Sequence, residues 1–299
     1  MKGIINILKP PGMTSFDVIF CCRKLFGIKK IGHAGTLDPG AAGVLTICIG
    51  RATKVVPFLT ETHKDYRAEM EFGTETTTLD AFGEVTNRVE DFSISEEEVR
   101  GVLEEFKGEM EQIPPMYSAI RYKGKRLYEL ARQGKKVERK PRRITIYDLE
   151  MVEFDGKKLT IDVECSKGTY IRTLCADIGK RLEVGAYMSF LVRTKVGEFS
   201  LDKAVTLEEL EFLVSKNRIG EVLEPLDKAL EHLRAIQVKS EFDKPISNGV
   251  SIEWDYLVTD LNYKVAVGDK FRVYNSKGEF IGVYAYHQKD IFKPERIFV

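Results

Sequence analysis

The feature that most constrains the fold is a glycine-rich loop that leads directly into a fully apolar run. Residues 32–43 read GHAGTLDPGAAG, and residues 43–50 read GVLTICIG. An apolar run of this length between glycines is typical of a central strand that is buried on both faces. Pro39 disfavours helical geometry at Asp38, and the surrounding glycines allow tight backbone bends. The sequence therefore places one carboxylate on a tight turn immediately before a core strand.

The familiar glycine-rich loops do not fit this pattern. A P-loop has a lysine after its glycines, a dinucleotide fingerprint follows its strand, and a hydrolase elbow has a central serine. Two interpretations of Asp38 remain open from the loop alone. It is a turn former, because Asp-Pro-Gly is a common turn, or it is a nucleophile. A carboxylate with a reference pKa of about 4 is ionised at neutral pH and needs no base to activate it.

The rest of the chain alternates strands and helices, with hairpins between them, and this predicts a mixed α/β or α+β core. Capping signals start helices at Thr14, Ser95 and Thr206, and a turn at Asp155 joins two strands of a hairpin. The composition changes near residue 233. Short alternating runs with turn residues follow, which predict a small, mostly β domain over residues 234–299.

Charge is balanced over the whole chain, with 46 basic and 46 acidic residues, but it is locally uneven. Residues 121–143 contain eleven Lys or Arg and two Glu. Tyr117, Tyr122 and Tyr128 accompany these cations. Cations neutralise phosphates and phenol rings stack on bases, so this segment predicts a nucleic-acid partner.

Other classes of protein are disfavoured by what the sequence lacks. No apolar run is long enough to span a bilayer, and the first residues do not resemble a signal peptide, so we expect a cytoplasmic protein without a membrane partner. The five cysteines form no C-x-x-C pair, and the four histidines are scattered. We therefore expect reduced core thiols and no metal site.

Several motifs together resemble one family, the bacterial tRNA pseudouridine-55 synthases, or TruB family. The loop motif GHAGTLDPGAAGVLTICIGRATK and the motif GTYIRTL carry the resemblance. Further matching segments occur in the same order: ILKPPGMTS, KDYRAEMEFGTETTTLDAFGE, QIPPMYSAIRYKGKRLYELARQG, CSKGTYIRTLCADIG and FLVRTKVGEF.

The resemblance implies a specific architecture. A pseudouridine synthase core with a central, largely antiparallel mixed sheet and flanking helices is expected over residues 1–233. Within it, residues at about 113–145 correspond to a mobile RNA-binding insertion. A small β-barrel-like PUA RNA-binding domain is expected over residues 234–299.

The resemblance also implies an activity. The family are isomerases that convert uridine 55 in the T-loop of tRNA to pseudouridine by base flipping, without metal or organic cofactor. Asp38 corresponds to the nucleophile, Arg172 to the arginine that pairs with it, and Tyr66 to a tyrosine that stacks on the target base and assists a late proton transfer. Attack at C6 of the base, attack at C1′ of the ribose, and a glycal route all remain open.

Further residues match family positions around the substrate. His33 corresponds to a histidine that fills the space of the flipped nucleotides, and Tyr170 and Leu191 to residues lining the uracil pocket. Lys9 corresponds to a lysine near the active site, which is expected to support the loop and is counted among the substrate-binding residues. Asp80 matches a family motif and is expected to contact RNA or to have a structural role.

The basic insertion is expected to contact the RNA backbone of the T-stem-loop. The cations assigned to this contact are Arg121, Lys123, Lys125, Arg126, Arg132, Arg142 and Arg143. A non-catalytic RNA binder and a guide-RNA-dependent relative are the rival hypotheses. The short chain without long basic tails favours a stand-alone enzyme, which we expect to act as a monomer.

Overall fold

The structure is a computed structural model that describes residues 1–258 and 264–299. The described strands in chain order are β1 (Gly3–Lys9), β2 (Ile31–His33), β3 (Ala42–Ile49), β4 (Lys64–Phe72), β5 (Thr74–Thr76), β6 (Val85–Arg88), β7 (Gly108–Gln112), β8 (Arg121–Tyr122), β9 (Lys125–Arg126), β10 (Arg142–Phe154), β11 (Lys158–Cys165), β12 (Ala186–Val196), β13 (Phe199–Ser200), β14 (Arg234–Gln237), β15 (Ile252–Glu253), β16 (Lys270–Tyr274), β17 (Phe280–His287) and β18 (Ile291–Ile297). The described α-helices are α1 (Ser15–Phe26), α2 (Val56–Glu61), α3 (Glu96–Glu105), α4 (Leu127–Arg132), α5 (Ile171–Arg181), α6 (Leu207–Ser215) and α7 (Asp243–Ser247).

A nine-stranded sheet forms the centre of the protein, in the order β1-β3-β12-β4-β11-β10-β7, with β2 paired to β3 and β13 to β12. Every pairing in it is antiparallel except the one between β3 and β12, which is parallel. All eight residues of β3 are buried. The predicted central strand and the largely antiparallel mixed sheet are therefore confirmed.

The predicted helix starts are confirmed by their caps. The Thr14 and Ser95 hydroxyls each accept a hydrogen bond from the backbone N–H three residues later, and Thr206 does the same at α6. Each cap satisfies one of the free N–H groups at a helix start. Helix α1 ends at Phe26 and is capped by Gly27, whose φ of 65° is the left-handed conformation that glycine adopts without strain.

A second sheet, with five strands in the order β14-β16-β17-β18-β15, is built from residues after 233. It has its own buried cluster, which includes Phe271 and Phe292. It also packs on the central sheet, because Val283 and Phe298 share a buried cluster with Ile4. The division into two domains at residue 233 stays a prediction.

The cysteines and the lengths of the helices bear on two of the expectations from the sequence. The five cysteines are free, and four of them are buried. Across residues 1–258 and 264–299, no helix combines the length and the apolar character that a membrane crossing requires.

Gly43 lies where β3 packs against the backbone of β12. It lies opposite Arg193 in the parallel pairing of β3 with β12. Its φ is +111°, and a Cβ at this position would lie 2.2 Å from the Arg193 carbonyl oxygen. Only glycine fits such a backbone contact. The glycine therefore lets β12 carry the Arg193 side chain beneath the loop that contains Asp38.

We expect Gly43→Ala to lower the free energy of unfolding by more than about 2 kcal/mol, since it adds backbone strain and a clash with a neighbouring strand. Gly101→Ala is the matched control. Gly101 lies inside α3, with nothing within 4 Å of an added Cβ. This control should raise the free energy of unfolding by about 0.5–1 kcal/mol. Chemical denaturation measures both, and unchanged stability of Gly43→Ala would contradict the packing described.

Candidate active site

The loop between β2 and β3 holds Asp38 in a fixed position. Ser15, the first residue of α1, binds this loop at Leu37: the Leu37 N–H donates to the Ser15 Oγ at 2.9 Å, and the hydroxyl donates back to the Leu37 carbonyl at 3.2 Å. The Gly12 N–H donates to the Pro39 carbonyl at 2.8 Å. Leu37 is thus tied to the start of α1 and Pro39 to the turn that precedes it, so the carboxylate has a defined direction.

Arg172, in the first turn of α5, is the partner of this carboxylate. Its side chain is only 6% exposed, and its Nε forms an ion pair with Asp38 Oδ2 at 2.9 Å. Nη1 donates to the Thr78 carbonyl at 3.0 Å and lies 3.4 Å from Asp80 Oδ2. Nη2 donates to the Tyr117 carbonyl at 2.8 Å. One buried guanidinium therefore joins three segments that are far apart in sequence.

Asp80 is itself held in place. Its Oδ1 accepts from the Thr78 hydroxyl at 2.5 Å and from the Phe82 N–H at 3.0 Å. Its Oδ2 is the oxygen that faces Arg172. Two carboxylates therefore lie beside the Arg172 guanidinium. Asp80 is on its buried side, and Asp38 is on the side that is open to solvent.

The surroundings shift the pKa of the Asp38 carboxyl group. Burial raises the pKa of Asp38 above its ordinary value of 3.8, the Arg172 cation pulls it in the opposite direction, and the negative charge of Asp80 raises it further. The Asp38 side chain nevertheless remains 43% exposed. It is thus a poorly solvated carboxylate with an open side on which a ligand can lie.

That open side faces a cavity of about 840 Å³, within the range of roughly 300–1,000 Å³ that is usual for ligand sites. Asp38 and Arg172 line it, together with four of the residues predicted to bind substrate or base. These are His33, Tyr66, Tyr170 and Leu191. The structure therefore brings together, around one cavity, residues predicted from separate motifs.

Tyr66 and Arg193 face each other across β4 and β12. Arg193 is 1% exposed. Its Nε donates to the Val44 carbonyl at 2.8 Å and its Nη2 to the Gly35 carbonyl at 3.0 Å. Burial raises the pKa of Tyr66, and the Arg193 cation opposes this. Arg193 thus supports the loop through the Gly35 carbonyl and places a positive charge beside the Tyr66 phenol.

Sequence reasoning missed Arg193, although the signal was present. In FLVRTKV it shares the inward side of the strand with Leu191, because residues two apart on a strand face the same side. A cation at an inward position of a core strand is rare unless it is paired or functional. Gln112, the last residue of β7, was also missed. It exchanges two hydrogen bonds with the Tyr170 backbone, at 2.8 and 3.1 Å, and so fixes the start of α5.

His33 lies at the end of β2 and lines the cavity. Its Nδ1 is buried and, within the described residues, has no hydrogen-bond partner. Burial lowers the pKa of His33, and the Arg193 cation lowers it further. The ring is therefore neutral at physiological pH, which suits stacking against a base.

Lys9 does not line the cavity. Its side chain is fully buried, and its ammonium group donates to the Met13, Pro10 and Pro39 carbonyls at 2.6, 2.8 and 3.3 Å. Burial lowers the pKa of Lys9 to about 8, and the Asp38 charge acts in the opposite direction. Lys9 thus supports the Asp38 loop through the Pro39 carbonyl, and all three of these hydrogen bonds are to backbone carbonyls.

The predicted RNA-backbone cations separate into two groups. Arg121, Arg126 and Arg132 line the cavity, with Tyr117 and Tyr128. Lys123, Lys125, Arg142 and Arg143 are exposed and do not line it. Arg142 and Arg143 belong to β10 of the central sheet. The segment that leaves this sheet therefore spans residues 113–141.

One cluster of metal-ligating side chains occurs in the part of the chain that the structure describes. His63, Asp65 and Glu164 offer ligand atoms within 4.8 Å of one another. None of the three lines the cavity. The absence of a metal site stays a prediction.

Comparison with known proteins agrees with this geometry. Residues 23–171 match the family profile of the TruB family pseudouridylate synthase N-terminal domain, and residues 172–231 match the tRNA pseudouridylate synthase B C-terminal domain. The tRNA pseudouridine synthase B of Alkaliphilus oremlandii is 51% identical over 94% of this chain and 92% of its own length. The protein of the same name from Caldanaerobacter subterraneus subsp. tengcongensis is 44% identical over 100% of this chain and 99% of its own.

Solved structures show the same fold. An H/ACA RNP bound to a substrate RNA containing 2′-deoxyuridine matches with a TM-score of 0.79 and 26% identity, over 99% of this chain and 85% of that one. A Cbf5-Nop10-Gar1 complex matches with a TM-score of 0.79 and 27% identity over the same shares. The two family matches together cover both Asp38 and Arg172, and the chain belongs to the TruB family of pseudouridylate synthases.

Proposed function

We propose that this chain isomerises uridine 55 in the T-loop of tRNA to pseudouridine, as a stand-alone monomer in the cytoplasm. Relatives called tRNA pseudouridine synthase B, at 41–51% identity, support the activity. The observation that carries the proposal is the contact of Arg172 Nε with Asp38 at 2.9 Å, at the wall of a cavity that can receive a nucleoside.

The reaction requires one bond to be exchanged for another. The N1–C1′ bond breaks, the uracil turns while it remains bound, and a C5–C1′ bond forms. The base loses the proton at C5 and gains one at N1. Attack of Asp38 at C6, attack at C1′ and a glycal route each need a carboxylate beside the glycosidic bond in a site closed to water. The position of Asp38 is compatible with all three.

Arg172 holds the nucleophile in this role. A guanidinium keeps its proton at neutral pH and offers several donors in fixed directions. With Nε on Asp38 and the other nitrogens on backbone carbonyls and Asp80, it orients the carboxylate and stabilises its ionised form. A protein that only binds RNA has no need for such a buried pair at its cavity, which argues against the non-catalytic alternative.

The remaining residues would hold the flipped nucleotide. Extruding a base from a folded loop costs about a few kcal/mol of stacking. The neutral ring of His33 is suited to occupy the vacated space and offset part of this cost. Tyr66 would stack on the uracil and assist the late proton transfer, with Tyr170 and Leu191 as the other walls of the pocket.

The rest of the RNA would be bound by two segments of the chain outside the uracil pocket. We propose that the basic insertion closes over the T-stem-loop and that residues 234–299 act as a PUA RNA-binding domain. Identity above 40% along the whole chain to tRNA enzymes, against 26–27% to the H/ACA proteins, favours a stand-alone enzyme over a guide-dependent one.

Asp38→Asn should abolish pseudouridine formation, because the amide keeps the shape of the side chain but loses its charge and nucleophilicity. Purified protein is incubated with unmodified tRNA transcript, and pseudouridine is mapped by position. Binding of the transcript should survive. Asp162→Asn is the matched control, since Asp162 pairs with Arg67 at 2.6 Å outside the cavity. Turnover by Asp38→Asn, or a product at another position in the tRNA, would contradict the proposal.

Asp80→Asn should move the acid limb of the pH–rate profile to lower pH. The reactive form is the carboxylate, so the rate falls as the pH drops through the pKa of Asp38. Burial and Asp80 raise this pKa. Removing the Asp80 charge lowers it, and the carboxylate then persists to lower pH. Single-turnover rates at saturating tRNA measure the limb. An unmoved limb, or one shifted to higher pH, would show that Asp80 does not act on Asp38 in this way.

A further inference from the structure

We propose that the exposed side of α1 is a second RNA-binding surface, on which bases of the tRNA strand next to the target nucleotide stack. We call Phe16, Phe20, Arg23 and Lys24 the α1 face. This inference rests on the proposed function and extends it to a contact outside the uracil pocket. Its starting point is exposure: Phe16 is 59% and Phe20 62% exposed.

The spacing of these residues makes one continuous stripe. Phe16 and Phe20 are four residues apart on a helix, so their rings lie on the same side. Arg23 continues the stripe, with its guanidinium carbon 5.6 Å from the centre of the Phe16 ring. Lys24 is exposed one turn beyond Phe20. The nearby acid, Asp17, is engaged in the capping box with Thr14.

The α1 face is continuous with the cavity. Phe16 is one of the residues that line it. Its neighbour Ser15 is bonded to Leu37, the residue before Asp38. A nucleotide adjacent to the one at Asp38 can therefore reach Phe16 without leaving the protein surface.

The insertion presents the same chemistry to the same cavity. The Tyr128 ring has Arg126 at 5.9 Å and Arg132 at 5.5 Å from its centre, and all three residues line the cavity. Phe16 with Arg23 thus repeats the aromatic–cation arrangement of Tyr128, although only Phe16 of this pair lines the cavity. Aromatic rings that stack bases and cations that neutralise phosphates are the combination used for unpaired nucleic acid strands.

Charge also identifies the occupant. Arg23 already donates one hydrogen bond, to the Ile31 carbonyl at 3.4 Å, but this partner carries no negative charge. An apolar protein surface would leave the charges of Arg23 and Lys24 without an anion, whereas a phosphate backbone supplies one at each nucleotide. The exposed aromatic rings in turn need a flat apolar partner, and a base is one. RNA is the ligand that offers partners both to the aromatic rings and to the cations of the α1 face.

The test uses the full chain in an Asp38→Asn background, so that tRNA is bound but not converted. Phe16→Ala and Phe20→Ala are each compared with Phe212→Ala. Phe212 is the matched control: it is a 53% exposed phenylalanine on α6 with the Lys216 ammonium 5.7 Å from its ring centre, and it does not line the cavity. Affinity for unmodified tRNA transcript is measured over a series of salt concentrations.

We expect Phe16→Ala and Phe20→Ala each to weaken tRNA binding about 5- to 150-fold, the loss of one stacked base. The salt slope should stay unchanged, because no phosphate contact is removed. Phe20→Tyr should retain affinity, since it keeps the ring. Arg126→Ala with Arg132→Ala should instead reduce the salt slope by about one per cation.

Affinities within about two-fold of the Phe212→Ala control would overturn the proposal. Loss at Phe16 without loss at Phe20 would also overturn it, because the contact would then end at the cavity wall. Sedimentation is measured in parallel. A change of oligomeric state that accounts for the loss would make the α1 face an interface between copies of this chain. Pseudouridine formation by the unaltered protein is scored separately, so failure of the proposed function is distinguishable.

Discussion

The contact between the Arg172 guanidinium and the Asp38 carboxylate is the interaction on which the site depends. Arg172 is buried and Asp38 is only partly so, and the guanidinium has further partners on the Thr78 and Tyr117 carbonyls and on Asp80. Leaving a buried charge without partners is costly, so these contacts stabilise one another. Because Tyr117 belongs to the basic insertion, the same arginine links Asp38 to the segment proposed to bind RNA.

The sheet provides the support for this interaction. The parallel pairing of β3 with β12, which requires glycine at position 43, brings Arg193 beneath the loop. Lys9 binds the Pro39 carbonyl of the loop, and Ser15, at the start of α1, binds its Leu37 backbone. Asp38 is thus held by backbone contacts on several sides, while its carboxylate stays open to the cavity. A rigid loop of this kind holds the carboxylate of Asp38, the proposed nucleophile, in one orientation before substrate arrives.

Local patterns in the sequence were enough to predict much of this. The apolar run of β3, the caps at Thr14, Ser95 and Thr206, and the mixed α/β or α+β core followed from spacing and turn chemistry. The largely antiparallel form of the sheet came from resemblance to a family. The grouping of Asp38 with Arg172, Tyr66, His33, Tyr170 and Leu191 came from resemblance to a family, because their separation in sequence exceeds the reach of any local rule. The cavity brings these residues together.

Other features depend on contacts that no local pattern encodes. Arg193 donates to a carbonyl 149 residues away, and the Tyr117 carbonyl that accepts from Arg172 is 55 residues away from it. The basic run over residues 121–143 reads as one segment, yet Arg142 and Arg143 belong to β10, because pairing with β7 draws them into the central sheet. Tertiary pairing, which the charge pattern does not reveal, separates these two arginines from the cavity.

The most direct test of the central claim is the single-turnover rate of Arg172→Lys at saturating tRNA. Lysine keeps the charge but replaces the planar fork with a single ammonium, which cannot reach Asp38, Asp80 and both carbonyls together. With the fold verified by its melting midpoint, the account predicts a rate at least about 100-fold lower, with tRNA affinity largely retained. A rate within about three-fold of the unaltered enzyme would show that charge alone suffices, and that the geometry of Arg172 is not what the site depends on.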